Sequence, residues 1–260
     1  MNDKLNHLPT VDRVNVLGVG ISTTNMANTL ATIVRWIKNA ERHYVCVTGV
    51  HGVMESQKDN NLKEVHNNSG MTVPDGMPMV WAGKIYGYLD MGRVYGPDLM
   101  WAICKDSVIK GFTHFLYGGN EGVVGELKHT LEKEFPGIKI VGTFTPPFRP
   151  LNNAEENDLI NQVNLTKPDL FWVGLSTPKQ EIFMSEYVSR LDTKVMLGVG
   201  AAFDYHTGRA KDSPDWIKKS GMQWLHRLLQ DPKRLWKRYL VNNPVFVCKF
   251  LNQIIVDKLT

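Results

Sequence analysis

Short apolar runs recur through the first 210 residues, separated by segments with helical spacing. VNVLGVG (14–20) reads as a strand ending in glycines, and a helix follows from about Met26 to Asn39. HYVCVTG (43–49) is a second strand, with a helix over His51 to Lys58 behind it. FLYGG (115–119) ends another strand, and a helix runs from about Glu121 to Glu134. IKIVG (138–142), DLFWVGL (169–175) and KVMLGVG (194–200) add three more. Apolar strands joined by helical crossovers indicate a parallel sheet buried on both sides. The expected fold is α/β: a Rossmann-like, mostly parallel sheet with helices on both faces, its strand order unread.

The pattern breaks down between Asp59 and Gly96, a segment rich in Gly, Met and Pro. It predicts short helices and loops over the sheet's edge, where ligands bind in folds of this kind. Within it, VPDGMPMVWAGK (73–84) sets an acidic turn, Asp75-Gly76, directly against an apolar run. The carboxylate either shapes an Asx or type I turn or stands at the lip of a pocket, desolvated and suited to accept a proton. Spacing leaves both open.

Towards the end the texture changes again. Trp224, Leu225, Leu228 and Leu229 share one helical face. Asp231-Pro232 is a helix start, with Asp as cap and Pro in the first turn. Leu235, Trp236, Tyr239 and Leu240 recur at helical spacing among Lys233, Arg234, Lys237 and Arg238. Asn243-Pro244 then restarts a helix carrying Val245, Phe246, Phe250, Ile254 and Ile255. The chain divides into a Rossmann-like core over 1–210 and a basic amphipathic helical appendage over 211–260.

Charge sharpens that division. The chain carries a net +4, yet residues 216–260 hold nine Lys or Arg against two Asp, a net of +7 that leaves −3 for the rest. A nearly neutral core argues against a nucleic-acid groove. The basic stripe beside Trp, Leu and Phe suits an interfacial helix on anionic lipid, or a helix packed on the core with a solvated basic face. With 260 residues, 43% of them hydrophobic, one full core is affordable. No apolar run reaches the 18 residues of a spanning helix, and the start, MNDKLNHLPT, lacks a signal peptide's apolar segment. Cys46, Cys104 and Cys248 are too scattered for a disulfide framework or a zinc site, which fits a reducing, cytoplasmic location.

Glycines at strand ends, Gly118, Gly119 and Gly200 among them, let a ligand approach the backbone, unless they only ease tight strand–helix turns. Gly18-Val19-Gly20 has Thr23 where a dinucleotide fingerprint needs its third glycine, and no P-loop is present. In TPKQE (177–181), Thr177 and Pro178 pre-cap a helix, and Gln180 is left to contact a base or sugar. In GVGAAFDYHTG (198–208), Asp204 and His206 have no accompanying acid or His cluster. They read as a hydrogen-bonded pocket floor rather than a metal site.

The stretches VPDGMPMVWAGK, RVYGPDLM (93–100), FLYGGNEGVV (115–124), GLSTPKQE (174–181), GVGAAFDYHTG and GMQWLHRLLQDPKRLWKRYL (221–240) occur in order along nearly the whole chain. Together they resemble the WecG/TagA/CpsF family of bacterial glycosyltransferases. The resemblance implies an inverting, metal-independent and cofactor-free transfer from a UDP-sugar to a polyprenyl-diphosphate-linked saccharide. The enzyme would be cytoplasmic and peripheral on the anionic inner face of the cell membrane, with no nucleic acid as partner and a homo-oligomer left open. It implies Asp75 as catalytic base, Gln180 as substrate contact, Thr48 and His51 beside the substrate, and a C-terminal appendage that docks on the membrane and closes the site. Arg227, Arg234 and Arg238 are the tail arginines available to the departing UDP.

The chain departs from the family pattern in three places. It has Thr48-Gly49-Val50-His51 where an Asn is usual, Asp212-Ser213-Pro214 where Arg-Ala-Pro is common, and Ser176 in place of Gly. The first two favour a hexose or uronic-acid donor in exopolysaccharide, capsule or teichoic-acid-type synthesis. They also motivate the alternative of a protein that binds a nucleotide-sugar or lipid intermediate without turnover. A nicotinamide oxidoreductase is a third reading, disfavoured by the missing fingerprint.

Overall fold

The computed structural model describes residues 11–259, apart from the Lys219 side chain, so MNDKLNHLPT lies outside the described residues. The first element corrects the sequence reading. VNVLGVG is not one strand but two, β1 (Arg13–Val16) and β2 (Val19–Ser22), which pair antiparallel with Val16 opposite Val19. Leu17 and Gly18 turn the corner with φ of 53° and 84°. Positive φ at both central residues is what a two-residue hairpin of this hand requires. The hairpin is a separate sheet, and its glycines do not close a strand of the main one.

The main sheet follows. Helix α1 (Met26–Lys38) leads into β3 (His43–Thr48), α2 (Val50–Ser56) and α3 (Asn60–Asn68). The segment expected to be only helices and loops then contains a strand, β4 (Met71–Pro74), before α4 (Met77–Ile85) and α5 (Gly96–Lys110). All four β4 residues are buried, so no alternation betrays them. After these come β5 (Thr113–Gly118), α6 (Val123–Glu134), β6 (Lys139–Phe144), α7 (Asn153–Thr166), β7 (Leu170–Gly174), α8 (Lys179–Tyr187), β8 (Val195–Gly198) and α9 (Ala202–His206). The six strands run parallel in the order β4-β3-β8-β7-β5-β6. Val45, Leu116, Trp172 and Leu197 fill one face, and Cys46, Phe115, Phe171 and Met196 the other. Alternate residues are thus apolar in both directions, as a doubly covered parallel sheet demands.

The C-terminal helices are α10 (Asp215–Ser220), α11 (Gln223–Gln230), α12 (Pro232–Trp236) and α13 (Asn242–Leu259), with a π-helical turn at Lys237–Val241. Asp231 caps α12 as expected. Leu228 is buried, whereas Leu229, expected on the same face, is 74% exposed. The helix break expected at Asn243-Pro244 is absent. Pro244 cannot donate to the carbonyl four residues back, and the chain widens into the π turn, where the Asn242 N–H reaches Lys237 O. Phe246 and Phe250 of α13 pack with the hairpin, α2 and α4 in one apolar cluster. Among the described residues, no helix is long and apolar enough to cross a membrane.

The strand-end glycines have a packing reason. A Cβ on Gly118, whose φ is 127°, would lie 2.6 Å from the Gly174 carbonyl oxygen. Gly118→Ala should therefore destabilise the fold by at least about 2 kcal/mol, from steric overlap and backbone strain. Urea denaturation checks this, and an unchanged midpoint would refute it.

Candidate active site

The carboxyl end of the sheet opens into a cavity between β3, β4 and the C-terminal helices. Parallel pairing sets Thr48 opposite Pro74, and the next amide, Asp75 N–H, donates to Thr48 O at 3.0 Å. Asp75 therefore leaves the sheet one residue beyond its edge. Gly76, in extended conformation, occupies the cap position of α4 and offers no capping side chain. The Asp75 carboxylate does not cap it either: among the described residues it accepts no hydrogen bond. The turn is instead held through its backbone, where Arg93 Nε donates to Asp75 O and the Val94 N–H donates to Pro74 O at 2.8 Å. This leaves the carboxylate unengaged, on the cavity wall.

Two other expected residues meet it from β3 and α2. Thr48 is buried at the strand end, its hydroxyl without a partner. His51 lies in the first turn of α2, which starts at Gly49 without a side-chain cap. Burial, reinforced by Arg238, pushes the His51 pKa down to about 4, so the imidazole is neutral at physiological pH.

From the opposite side α11 and the π turn bring Arg227 and Arg238 into the same cavity. Among the described residues neither guanidinium has a carboxylate within ion-pair distance. Burial opposes the Arg227 charge, but Tyr239, Tyr205, Tyr95 and Asp75 together raise its pKa. Burial lowers the Arg238 pKa, and its Nε is buried without a hydrogen-bond acceptor. Charged groups so placed carry a desolvation cost that only an anionic partner removes.

The remaining expected residues lie elsewhere. Arg234 is exposed and pairs with Asp231 at 2.6 Å. Gly118, Gly119 and Gly200 sit at the carboxyl ends of β5 and β8 but outside the cavity wall, as does Gln180. The Gly119 N–H donates to Gly174 O at 3.0 Å. Thr177 does not cap α8 through its side chain. The helix begins at Lys179 with Pro178, not Thr177, in the cap position, and the Thr177 hydroxyl donates to the buried Glu181 carboxylate at 2.9 Å. Gln180 Nε2 donates to the same Glu181 oxygen at 3.0 Å and to Gly198 O at 3.3 Å, leaving its Oε1 buried and unpartnered. Asp204 lies on α9, and His206 stacks on Trp101 with its Nε2 3.0 Å from Pro97 O. Among the described residues no three His, Cys, Asp or Glu side chains gather as a metal site would require.

Sequence reasoning passed over Arg93, Lys218, Gln223 and Trp224, all of which line the cavity. Arg93 opens the family-like stretch RVYGPDLM, three residues ahead of the Gly-Pro start of α5, and that stretch was its only sign in the sequence. Gln223 and Trp224 lay within the family-like stretch GMQWLHRLLQDPKRLWKRYL, while Lys218 carried no sign beyond membership of the basic tail.

The chain is 27% identical over 186 residues to an N-acetylglucosaminyldiphosphoundecaprenol N-acetyl-beta-D-mannosaminyltransferase of Bacillus spizizenii, covering 72% of this chain and 70% of that one. An enzyme of the same name from Bacillus subtilis is 28% identical over 184 residues, covering 70% and 69%. One from Staphylococcus aureus is 25% identical over 239 residues, 91% of each chain. The sequence profile of the glycosyl transferase WecG/TagA/CpsF family matches residues 14–259, and the chain belongs to that family.

Proposed function

We propose that this protein is an inverting glycosyltransferase. It transfers a sugar from a UDP-sugar to a polyprenyl-diphosphate-linked saccharide in envelope polysaccharide synthesis, working at the anionic inner face of the cell membrane. One observation carries the reading: a carboxylate free of hydrogen bonds shares a cavity with two half-buried arginines that have no carboxylate partner among the described residues.

The chemistry divides between those groups. Inversion needs a base that removes the acceptor hydroxyl's proton as its oxygen attacks C1 of the donor sugar, and Asp75 takes that proton. Breaking the C1–O bond leaves negative charge on the UDP diphosphate, which Arg227 and Arg238 receive. Their placement before the reaction spares reorganisation while charge develops. Thr48 and neutral His51 supply hydroxyl and imidazole contacts beside the sugar. The nucleotide extends along the sheet edge past Gly200 and Gln180 towards Gly118 and Gly119. There the connections leaving β7 and β5 run in opposite directions, the usual crevice for a ligand in such sheets. Two arginines match the two negative charges of the UDP-sugar diphosphate, so this reading calls for no metal, and turnover in EDTA should match that in buffer alone.

The C-terminal segment, 211–260, supplies the membrane contact. Leu251, Ile255 and Leu259 fall on one face of α13 at spacings of four and are 54%, 58% and 82% exposed. Trp236 and Leu240 are likewise exposed, and Lys258 shares the helical face of Leu251 and Ile255. Apolar residues flanked by cations suit the boundary of an anionic bilayer.

Release of UDP from a panel of UDP-hexoses, UDP-uronic acids and UDP-N-acetylhexosamines, with a polyprenyl-diphosphate-linked N-acetylglucosamine acceptor, tests the activity. UDP binding without turnover across the panel would favour the non-catalytic alternative. Asp75→Asn should lower kcat by about a hundredfold or more while UDP affinity, read by calorimetry, stays within about twofold. An unchanged kcat removes Asp75 as the base. Arg227→Gln or Arg238→Gln should weaken UDP binding at least about tenfold. In vesicle flotation, Leu251→Asp with Ile255→Asp should release the protein from anionic liposomes. Equal flotation of this variant and the wild type would sink the interfacial assignment.

A further inference from the structure

The C-terminal helices are joined to the Asp75 turn by an unbroken run of hydrogen bonds. It begins at Asp212, in the connection between α9 and α10. Asp212 Oδ1 accepts from the Tyr95 hydroxyl at 2.9 Å, the Ser213 N–H at 2.7 Å and Gln223 Nε2 at 3.3 Å. Its Oδ2 pairs with Lys218 Nζ at 2.6 Å. One carboxylate thus collects donors from the start of α5, from its own loop, from α10 and from α11.

Gln223 has a single orientation open to it. Its amide nitrogen faces an acceptor, Asp212, so its amide oxygen faces Arg93, which can only donate. Arg93 uses all three nitrogens: Nη2 to Gln223 Oε1, Nη1 to Lys218 O at 3.4 Å, and Nε to Asp75 O. The guanidinium also lies 4.3 Å above the Tyr95 ring, whose hydroxyl returns to Asp212. The loop therefore closes through Tyr95, Asp212, Gln223 and Arg93. A planar guanidinium cannot give up one of these bonds without tilting the others.

We propose that Asp212 is a positioning residue that holds the Asp75 turn in place through Gln223 and Arg93, coupling the docking of the C-terminal helices to the placement of that carboxylate. For its catalytic consequence this rests on the reading of Asp75 as base. Its structural consequence rests on the hydrogen bonds alone. The same helices carry Arg227 and Arg238, so their docking brings the arginines to the cavity and steadies the Asp75 turn together.

Hydrogen exchange on the full chain reads the coupling with no substrate present. The reporters are the Asp75 amide, bonded to Thr48 O, and the Val94 amide, bonded to Pro74 O. In Asp212→Ala both should exchange about tenfold faster or more, together with amides across 215–230. Asp212→Asn keeps an acceptor for the Tyr95 hydroxyl but loses the charge facing Lys218, and should give a smaller shift in the same amides. If 215–230 loosen while the reporters stay at wild-type rates, Asp212 merely staples the tail and the proposal is overturned. Should Asp212→Ala unfold throughout, the Asn variant decides by the same criterion. In turnover, kcat should fall about tenfold to a hundredfold in Asp212→Ala. Adding Arg93→Gln should cost no more than the worse single change, because both break one chain. Multiplying effects would count against the coupling. A wild type without turnover would defeat the glycosyltransferase reading and leave the exchange result standing.

Discussion

The site depends first on the parallel pairing of β4 with β3. That register carries Asp75 one residue past the sheet edge and holds its amide on Thr48 O. A four-residue edge strand is a weak support by itself, since its outer side has no ladder to complete. The amino-terminal hairpin covers that side. Ser22 Oγ accepts the Thr72 N–H at 3.0 Å, and the Arg13 guanidinium donates to the carbonyls of Gly20, His66 and Ser69. Arg13 thereby ties the hairpin to the end of α3 just ahead of β4. The hairpin contributes no residue to the cavity wall, yet it braces the strand on which Asp75 rides.

Charge in the cavity is arranged against the stability of the empty protein. Arg227 and Arg238 enter from the tail without carboxylate partners among the described residues, and His51 is kept neutral beside them. Aromatic faces moderate the cost: Arg227 lies 5.9 Å from the Tyr205 ring centre and Arg238 lies 5.6 Å from that of Tyr239. Lys218, by contrast, is fully occupied, paired with Asp212 and near Asp98 and Asp215. The cations around the cavity therefore divide by role. Arg93 and Lys218 are spent on structure, while Arg227 and Arg238 are left for an anion. Such a ligand would stabilise the docked helices by the same interactions that bind it.

Strands buried on both faces, such as FLYGG, DLFWVGL and KVMLGVG, were legible because an apolar run between helical segments has few other uses. VNVLGVG misled because Leu17 turns the hairpin at φ 53°, where Asn or Asp would have announced the corner. β4 was illegible because four buried residues show no period. At the site, Asp75, Thr48, His51, Arg227 and Arg238 line one cavity, whereas the motifs alone did not separate Arg227 and Arg238 from Arg234. Arg234 could have been set apart in advance, since Asp231 three residues earlier in a helix start is placed to capture it. No sequence signal joins Arg93 to Gln223 or Asp212 to Tyr95, which meet across more than 100 residues only when the tail folds back. Asp212 itself was visible only as a departure from a motif, and the structure gives that departure a use.

The tail's local irregularity has a physical cause that bears on the site. Pro244 was read as a helix start, and it does lie in the first turn of α13. The helix before it does not stop, however. Pro244 has no N–H for the carbonyl four residues back, and just ahead of it the helix widens over Lys237–Val241, where the Asn242 N–H reaches Lys237 O. Arg238 and Tyr239 lie in that widened turn, and both line the cavity. Downstream, Phe246 and Phe250 remain seated on the hairpin, α2 and α4. One helical run thus serves two surfaces, with the wide turn absorbing the mismatch between them. A proline that appeared to punctuate the tail instead follows directly on a widened turn that carries Arg238 and Tyr239 on the cavity wall.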